Sequence, residues 1–257
     1  MHDRGCTDGF NKYQSQEIIC QQGDIVMEAI VLAGGFGTRL SHIVKDVPKP
    51  MAPVAGKPFL EYILDDLVRQ GVTRIVIAVH YKKERIMEYF GNAFRGAEIL
   101  YSVEEIPLLT GGAIKKAQEL CLDDFVWIVN GDTYFEVPLA KMRSEAEASA
   151  KVVIAVKKMQ NFSRYGQVDI TADGRVTAFR EKAPCEQGFI NGGVYCLQKS
   201  TLDKYPEKFS LENDCFPQLL EAGGIYALES RGYFIDIGVP EDYYRAQQYF
   251  EQKGNSH

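Results

Sequence analysis

From Glu28 onward the hydrophobic positions of the chain fall into two alternating styles. Short uninterrupted runs, EAIVLAG, TRIVIAVH, AEILYSV and DFVWIVNGD, carry Val, Ile and Ala without the polar alternation of a half-exposed strand. Between them, PFLEYILDDLVRQG, KKERIMEYFGNA and GGAIKKAQEL place apolar residues three and four apart, as on one face of a helix. Buried strands separated by helices predict a parallel sheet covered on both faces. Such sheets take their ligands beyond the carboxyl ends of the strands. Two polar segments fall at those ends: the glycine-rich turn after EAIVLAG, and Asn130-Gly131-Asp132.

After a helix expected near residues 138–148 the pattern changes. KVVIAVK, GQVDI, RVTAFREK, FINGGVYCL, IYALES and GYFIDIG read as strands, with Ala172-Asp173-Gly174 as a hairpin turn. A helical pattern surrounds CFPQLLEAG, and Pro240 opens a last helix through about Gln252, whose apolar stripe offers a surface for a homodimer. No Pro/Gly/Ser-rich linker and no internal repeat divides the chain, which predicts one domain over 27–257 with lobes at 27–136 and 137–252. Residues 1–26 are polar and aperiodic until their last positions, the pattern of a disordered or loosely packed extension.

Composition narrows the partners more than the fold. The 257 residues are 46% hydrophobic and 25% charged, ordinary for a globular protein, and long enough to bury a substantial core. A net charge of -6 argues against sequence-independent binding to nucleic acid, so any polyanion must meet a local cluster of cations. The six cysteines show no C-x-x-C pair or zinc-like spacing, which fits reduced thiols in a cytoplasm. No apolar stretch is long enough for a membrane span, and no signal-peptide core begins the chain.

The candidate chemistry starts at the turn. Gly34, Gly35 and Gly37 allow backbone N–H groups to approach an anion, yet the spacing matches neither the dinucleotide fingerprint nor the P-loop. Arg39 and Lys49, the latter between Pro48 and Pro50, add a two-pronged phosphate ligand and a mobile point charge. Asp132 in such a site would repel phosphate unless Mg²⁺ lay between them. Asp236 sits in an apolar strand, where a structural aspartate is the alternative. Glu181, Lys182, Asn191, Gly192 and Gly193 offer a carboxylate, a cation, an amide and exposed backbone, suited to a phosphorylated sugar.

LAGGFGTRL, PKPM, NGD, FREK, NGGVY and DIG, in this order, resemble the sugar-1-phosphate nucleotidylyltransferases over residues 27–250. KDVPKPMAPVAGKPFLEY, TGGAIKKA, VNGDTYF and IDIGVPEDYYRAQ are similar, more narrowly, to the short D-glycero-D-manno-heptose 1-phosphate guanylyltransferases of bacterial surface-glycan synthesis. The resemblance implies an α/β, Rossmann-like three-layer nucleotidyltransferase fold, with a mixed, mostly parallel central sheet and a smaller antiparallel sugar-binding lobe. It implies a sugar 1-phosphate attacking the α-phosphorus of a nucleoside triphosphate, most simply GTP, and expelling pyrophosphate. Arg39, Lys49 and Asp132 would be catalytic, with Mg²⁺ on Asp132 and Asp236. Leu32, Ala33, Gly34, Gly35, Gly37, Thr38, Thr110, Gly111 and Gly112 would line the nucleotide. Gly166, Glu181, Lys182, Asn191 and Gly193 would take the sugar and its phosphate.

One loop departs from the family pattern E-P-L-G-T-G/A-G. Here Ile106 replaces a common glutamate and Leu109 a common glycine, which affects the choice of base; Glu104 or Glu105 could supply the missing acid. Mannose-1-phosphate guanylyltransferase and glucose-1-phosphate uridylyl- or thymidylyltransferase are the neighbouring alternatives. A nicotinamide oxidoreductase would need an acid about twenty residues after the glycines, where this chain is Pro-rich and then helical. A glycosyltransferase would want a second acid beside Asp132, and a non-enzymatic nucleotide-sugar-binding relative has only Ile106 and Leu109 in its favour.

Overall fold

The computed structural model describes residues 27–35, 46–148 and 152–254. The extension 1–26 and the turn residues Gly37, Thr38 and Arg39 lie outside the described residues. The first half runs β1 (Met27–Leu32), a small hairpin of β2 (Pro53–Val54) and β3 (Lys57–Pro58), α1 (Phe59–Arg69), β4 (Val72–Val79), α2 (Lys83–Phe90), β5 (Ala93–Phe94), β6 (Ala97–Val103), α3 (Leu109–Ala117), β7 (Phe125–Asn130) and β8 (Thr133–Phe135). The second runs α4 (Leu139–Ala148), β9 (Val152–Phe162), β10 (Gly166–Ile170), β11 (Val176–Lys182), β12 (Cys185–Gln198), α5 (Phe216–Glu221), β13 (Ile225–Glu229), β14 (Phe234–Asp236) and α6 (Pro240–Gly254).

In the main sheet β7, β1, β4 and β6 are parallel neighbours in that order. The apolar runs are buried as their lack of alternation predicts: Ala29–Val31, Ile75–Val79 and Val126–Val129 are each at most 4% exposed. α1 buries Phe59, Leu60, Ile63, Leu64 and Leu67. Each such side chain contributes about 1.5–3 kcal/mol when removed from water. From β1 the chain moves outward to β4 and β6, then returns on the other side of β1 as β7. The strand order therefore reverses between β1 and β7, and a crevice opens there beyond their carboxyl ends.

The antiparallel lobe grows from the same sheet. β12 pairs antiparallel with β7 through Val194–Gln198 and with β9 on both sides of a break, from Cys185 to Asn191 and from Tyr195 to Leu197, while β10 and β11 form the expected hairpin beside it. From Asn191 to Tyr195 β12 advances four residues while its partner moves only from Val156 to Ile154, so Gly192 and Gly193 form a bulge. The result is a mixed sheet with a parallel centre and an antiparallel flank.

Three details differ from the sequence pattern. β14 does not join the main sheet but pairs with β8 in a separate ribbon. α3 begins at Leu109, ahead of the glycines, and a wide turn over Leu211–Cys215 precedes α5. The stripe of α6 is core: Tyr243, Ala246 and Phe250 are buried, which removes it as a free dimer face. Among the described residues Cys121, Cys185 and Cys215 are free thiols, and no helix is long and apolar enough to cross a membrane.

Candidate active site

The crevice between β1 and β7 gathers the two segments singled out at strand ends. The Gly131 amide donates to the Leu32 carbonyl at 2.9 Å, and the Ala33 amide donates to the Ala78 carbonyl at 2.9 Å, so the start of the glycine turn is pinned to both neighbouring strands. A Cβ on Gly131 would stand 2.7 Å from the Leu32 oxygen, which explains the glycine in Asn130-Gly131-Asp132. Gly34 is flanked by His80 and by Glu104, whose Oε1 lies 3.2 Å from where a Cβ would be; among the described residues nothing lies within 4 Å of a Cβ on Gly35.

Asp132 and Asp236 meet because β8 and β14 pair with Asp236 opposite Thr133, and the Ile237 amide donates to the Asp132 carbonyl at 3.1 Å. Gly238 N–H donates to Asp236 Oδ1 at 2.7 Å. Lys49 comes from a single tight turn whose Pro50 and Met51 are buried, with proline on either side restricting the backbone. Its side chain is only 11% exposed, and Nζ donates to Asp132 Oδ2 at 2.6 Å and to Asp236 Oδ1 at 3.3 Å. Two half-buried carboxylates thus share one ammonium. Their hard oxygens suit Mg²⁺, but the described residues contain no group of three or more His, Cys, Asp or Glu able to hold a metal. Mg²⁺ is commonly held by one or two carboxylates with phosphate and water oxygens completing its shell, so this pair fits an ion that arrives with substrate.

Beside Asp236 lies a cleft of about 670 Å³ whose wall includes Gly166, Glu181, Lys182 and Asn191. Four of the five residues expected at the sugar are therefore on one surface. Gly193 is not on that wall; it is buried with φ 70° in the β12 bulge, where a Cβ would stand 2.6 Å from Asn130 Nδ2. The bulge aims Asn191, which accepts from the Gly193 amide and donates from Nδ2 to the Tyr195 hydroxyl, both at 3.0 Å. Glu181 and Lys182 are exposed at the end of β11. Tyr165, also on the wall, is pushed up to about 12 by burial and then by the field of Asp236.

The loop that departs from the family pattern has a defined hand. Leu109 has φ 64°, the left-handed conformation that glycine takes freely and leucine adopts at a cost of about 1–2 kcal/mol. Leucine therefore follows the path open to glycine, while its side chain, 50% exposed, and that of Ile106, 65% exposed, project outward. Glu104 rather than Glu105 is the built acid: it is 7% exposed, and its Oε2 accepts the Leu108 amide at 2.9 Å. Glu105 is exposed and only pairs with Lys83 at 3.4 Å. Thr110 accepts the Leu211 amide at 2.9 Å and donates to Glu212 at 2.6 Å. A Cβ on Gly111 would stand 2.3 Å from the Phe209 ring, and one on Gly112 2.2 Å from the Glu207 carbonyl, so these glycines seat α3 against the segment before α5. Sequence reasoning passed over that packing role, and also Tyr165; no local signal marks either.

Known proteins resemble this chain in sequence and fold. The nucleotidyl transferase family model matches residues 28–253. The D-glycero-alpha-D-manno-heptose 1-phosphate guanylyltransferase of Aneurinibacillus thermoaerophilus is 47% identical over 225 residues, covering 86% of this chain and 97% of that protein. Its counterpart from Campylobacter jejuni is 44% identical over 223 residues, covering 85% and 97%. The crystal structure of HddC from Yersinia pseudotuberculosis complexed with GMP-PN superposes with a TM-score of 0.80 at 38% identity, covering 87% of this chain and 99% of that one.

Proposed function

This chain belongs to the nucleotidyl transferase family, and from that premise we propose that it transfers GMP from GTP to D-glycero-D-manno-heptose 1-phosphate, releasing pyrophosphate. The observation that carries the reading is the position of Asp132, Asp236 and Lys49: one cluster touches both the glycine-lined crevice and the sugar cleft. The substrate pair is that named for the Aneurinibacillus and Campylobacter relatives, and the product would be a nucleotide sugar for surface polysaccharide. Leu109 keeps the loop on the glycine-like path of the family pattern, so its backbone leaves the nucleotide loop intact.

The acceptor needs little general base, because a phosphate monoester is largely ionised near neutral pH. What the reaction needs is relief of repulsion between two polyanions and stabilisation of charge at the α-phosphorus. Mg²⁺ held by Asp132 and Asp236 would supply positive charge between the two phosphates. Lys49, already between those carboxylates, is placed to move its charge onto phosphate oxygens. Arg39 with Gly37 and Thr38 would complete the grip on the triphosphate. Leu32, Ala33, Gly34, Gly35, Thr110, Gly111 and Gly112 would form the nucleotide side, and Gly166, Glu181, Lys182 and Asn191 the sugar side, with Gly193 setting the bulge that aims Asn191. The test is pyrophosphate release with ATP, CTP, GTP, UTP or dTTP crossed against heptose, mannose and glucose 1-phosphates in Mg²⁺. GTP with the heptose 1-phosphate is expected to turn over fastest. Faster release with UTP or dTTP and glucose 1-phosphate would replace this reading, and no release with any pair would end it.

A further inference from the structure

The connection between β9 and β10 brings Arg164 to the cleft wall that also carries Lys182, Asp236 and Gly238. Its guanidinium donates to Asp242 Oδ2, in the first turn of α6, 78 residues further along the chain. The Asp242 side chain is 5% exposed, and its Oδ1 accepts from Arg245 at 2.9 Å. Burying a carboxylate is costly unless it is paired, so this acid requires the cations around it. Arg164 itself stays 43% exposed. Burial lowers its pKa, but the bond to Asp242 and the fields of Asp242, Tyr165 and Asp236 outweigh that and hold it above its ordinary value.

The arrangement has the form of a guanidinium fixed on one side and open on the other. Among the described residues its hydrogen bond goes to Asp242 and its guanidinium lies 5.6 Å from the Tyr165 ring, which leaves N–H donors for a ligand, and a planar fork held in place suits phosphate oxygens. The other cations of the cleft differ in kind. Arg180 is drawn away to Asp169, with Nε donating at 2.7 Å, and Lys182 is an exposed side chain at the end of β11. Glu181, Glu212 and Asp236 share the wall, so a dianion entering it needs more than one cation.

We propose that Arg164, held by the buried carboxylate of Asp242, binds the phosphate of the sugar 1-phosphate as the fixed partner of the mobile Lys182. The proposal rests on the nucleotidyl-transfer reading and deepens it by naming a further substrate-binding residue and the residue that positions it. Calorimetric titration of wild type, Arg164→Ala and Arg164→Lys with heptose 1-phosphate, mannose 1-phosphate and GTP tests it. Arg164→Ala should weaken both sugar 1-phosphates by about tenfold or more and leave GTP unchanged, with Arg164→Lys between, since a charge-assisted bond is lost and then partly restored. Unchanged binding, or an equal loss for GTP, would overturn the proposal. A loss confined to the heptose compound would also overturn it, assigning Arg164 to the sugar tail instead. If wild type binds sugar 1-phosphates without pyrophosphate release from any triphosphate, the transfer reading fails while the Arg164 result stands; if wild type binds none, both fall.

Discussion

The two ends of β1 hold carboxylates of opposite character. At the amino end Glu28 is fully buried, its Oε2 accepting the Leu122 and Asp123 amides at 2.7 and 2.6 Å, with Arg74 Nε 3.5 Å from Oε1. Beyond the carboxyl end Asp132 and Asp236 are 39% and 29% exposed and, among the described residues, are both paired with Lys49. Glu28 Oε2 is held by two amides of its own fold, with the Arg74 charge near Oε1; Asp132 and Asp236 stand part-exposed at a crevice, bridged among the described residues by Lys49. A buried acid bonded to its own backbone holds structure, whereas a part-exposed pair at a crevice is open to a cation and an anion together.

That contrast can be broken from either side. The largest effect should come from Asp132→Ala, which should lower kcat/KM by about 10³-fold or more, roughly 4 kcal/mol, while the melting temperature stays close to wild type. Retained turnover would remove Asp132 from the chemistry. Glu28→Ala should do the reverse. Leaving two amides and an arginine without their buried acceptor should cost about 3 kcal/mol of stability by denaturant unfolding, with kcat/KM of the folded fraction unchanged. A loss of activity without loss of stability would show that the two ends are coupled. The smallest effect concerns the loop. Leu109→Gly relieves about 1–2 kcal/mol of left-handed strain and gives back roughly 0.5–1 kcal/mol through the freer unfolded chain, so a gain of about 0.5 kcal/mol is expected in the same unfolding assay. A clear destabilisation would mean that the leucine side chain packs against something that matters.

Much of this was legible in the sequence. The unbroken Val and Ile runs predict strands buried on both faces, and the motifs that single out Lys49, Asp132 and Asp236 bring side chains that meet in the fold. Gly166, Glu181, Lys182 and Asn191 likewise share one cleft. Gly193 shows the limit of such reading: its residue type was informative, but the reason is a bulge and a close approach to Asn130, not a place on the cleft wall. Glu104 and Glu105 are neighbours that sequence could not separate, and only one has the buried environment of a built acid.

The sequence by itself determined the alternation of strand and helix, the order of the motifs and the family, because these depend on periodicity and spacing within short windows. Tertiary structure decided which polar residues are satisfied and which are not. The Lys49 contacts span 83 and 187 residues, that of Glu28 with Leu122 spans 94, and that of Arg164 with Asp242 spans 78. Charge balance at each of these points is set by chain segments that meet only when the sheet closes, β8 finds β14 and α6 folds back, and no local pattern records that meeting.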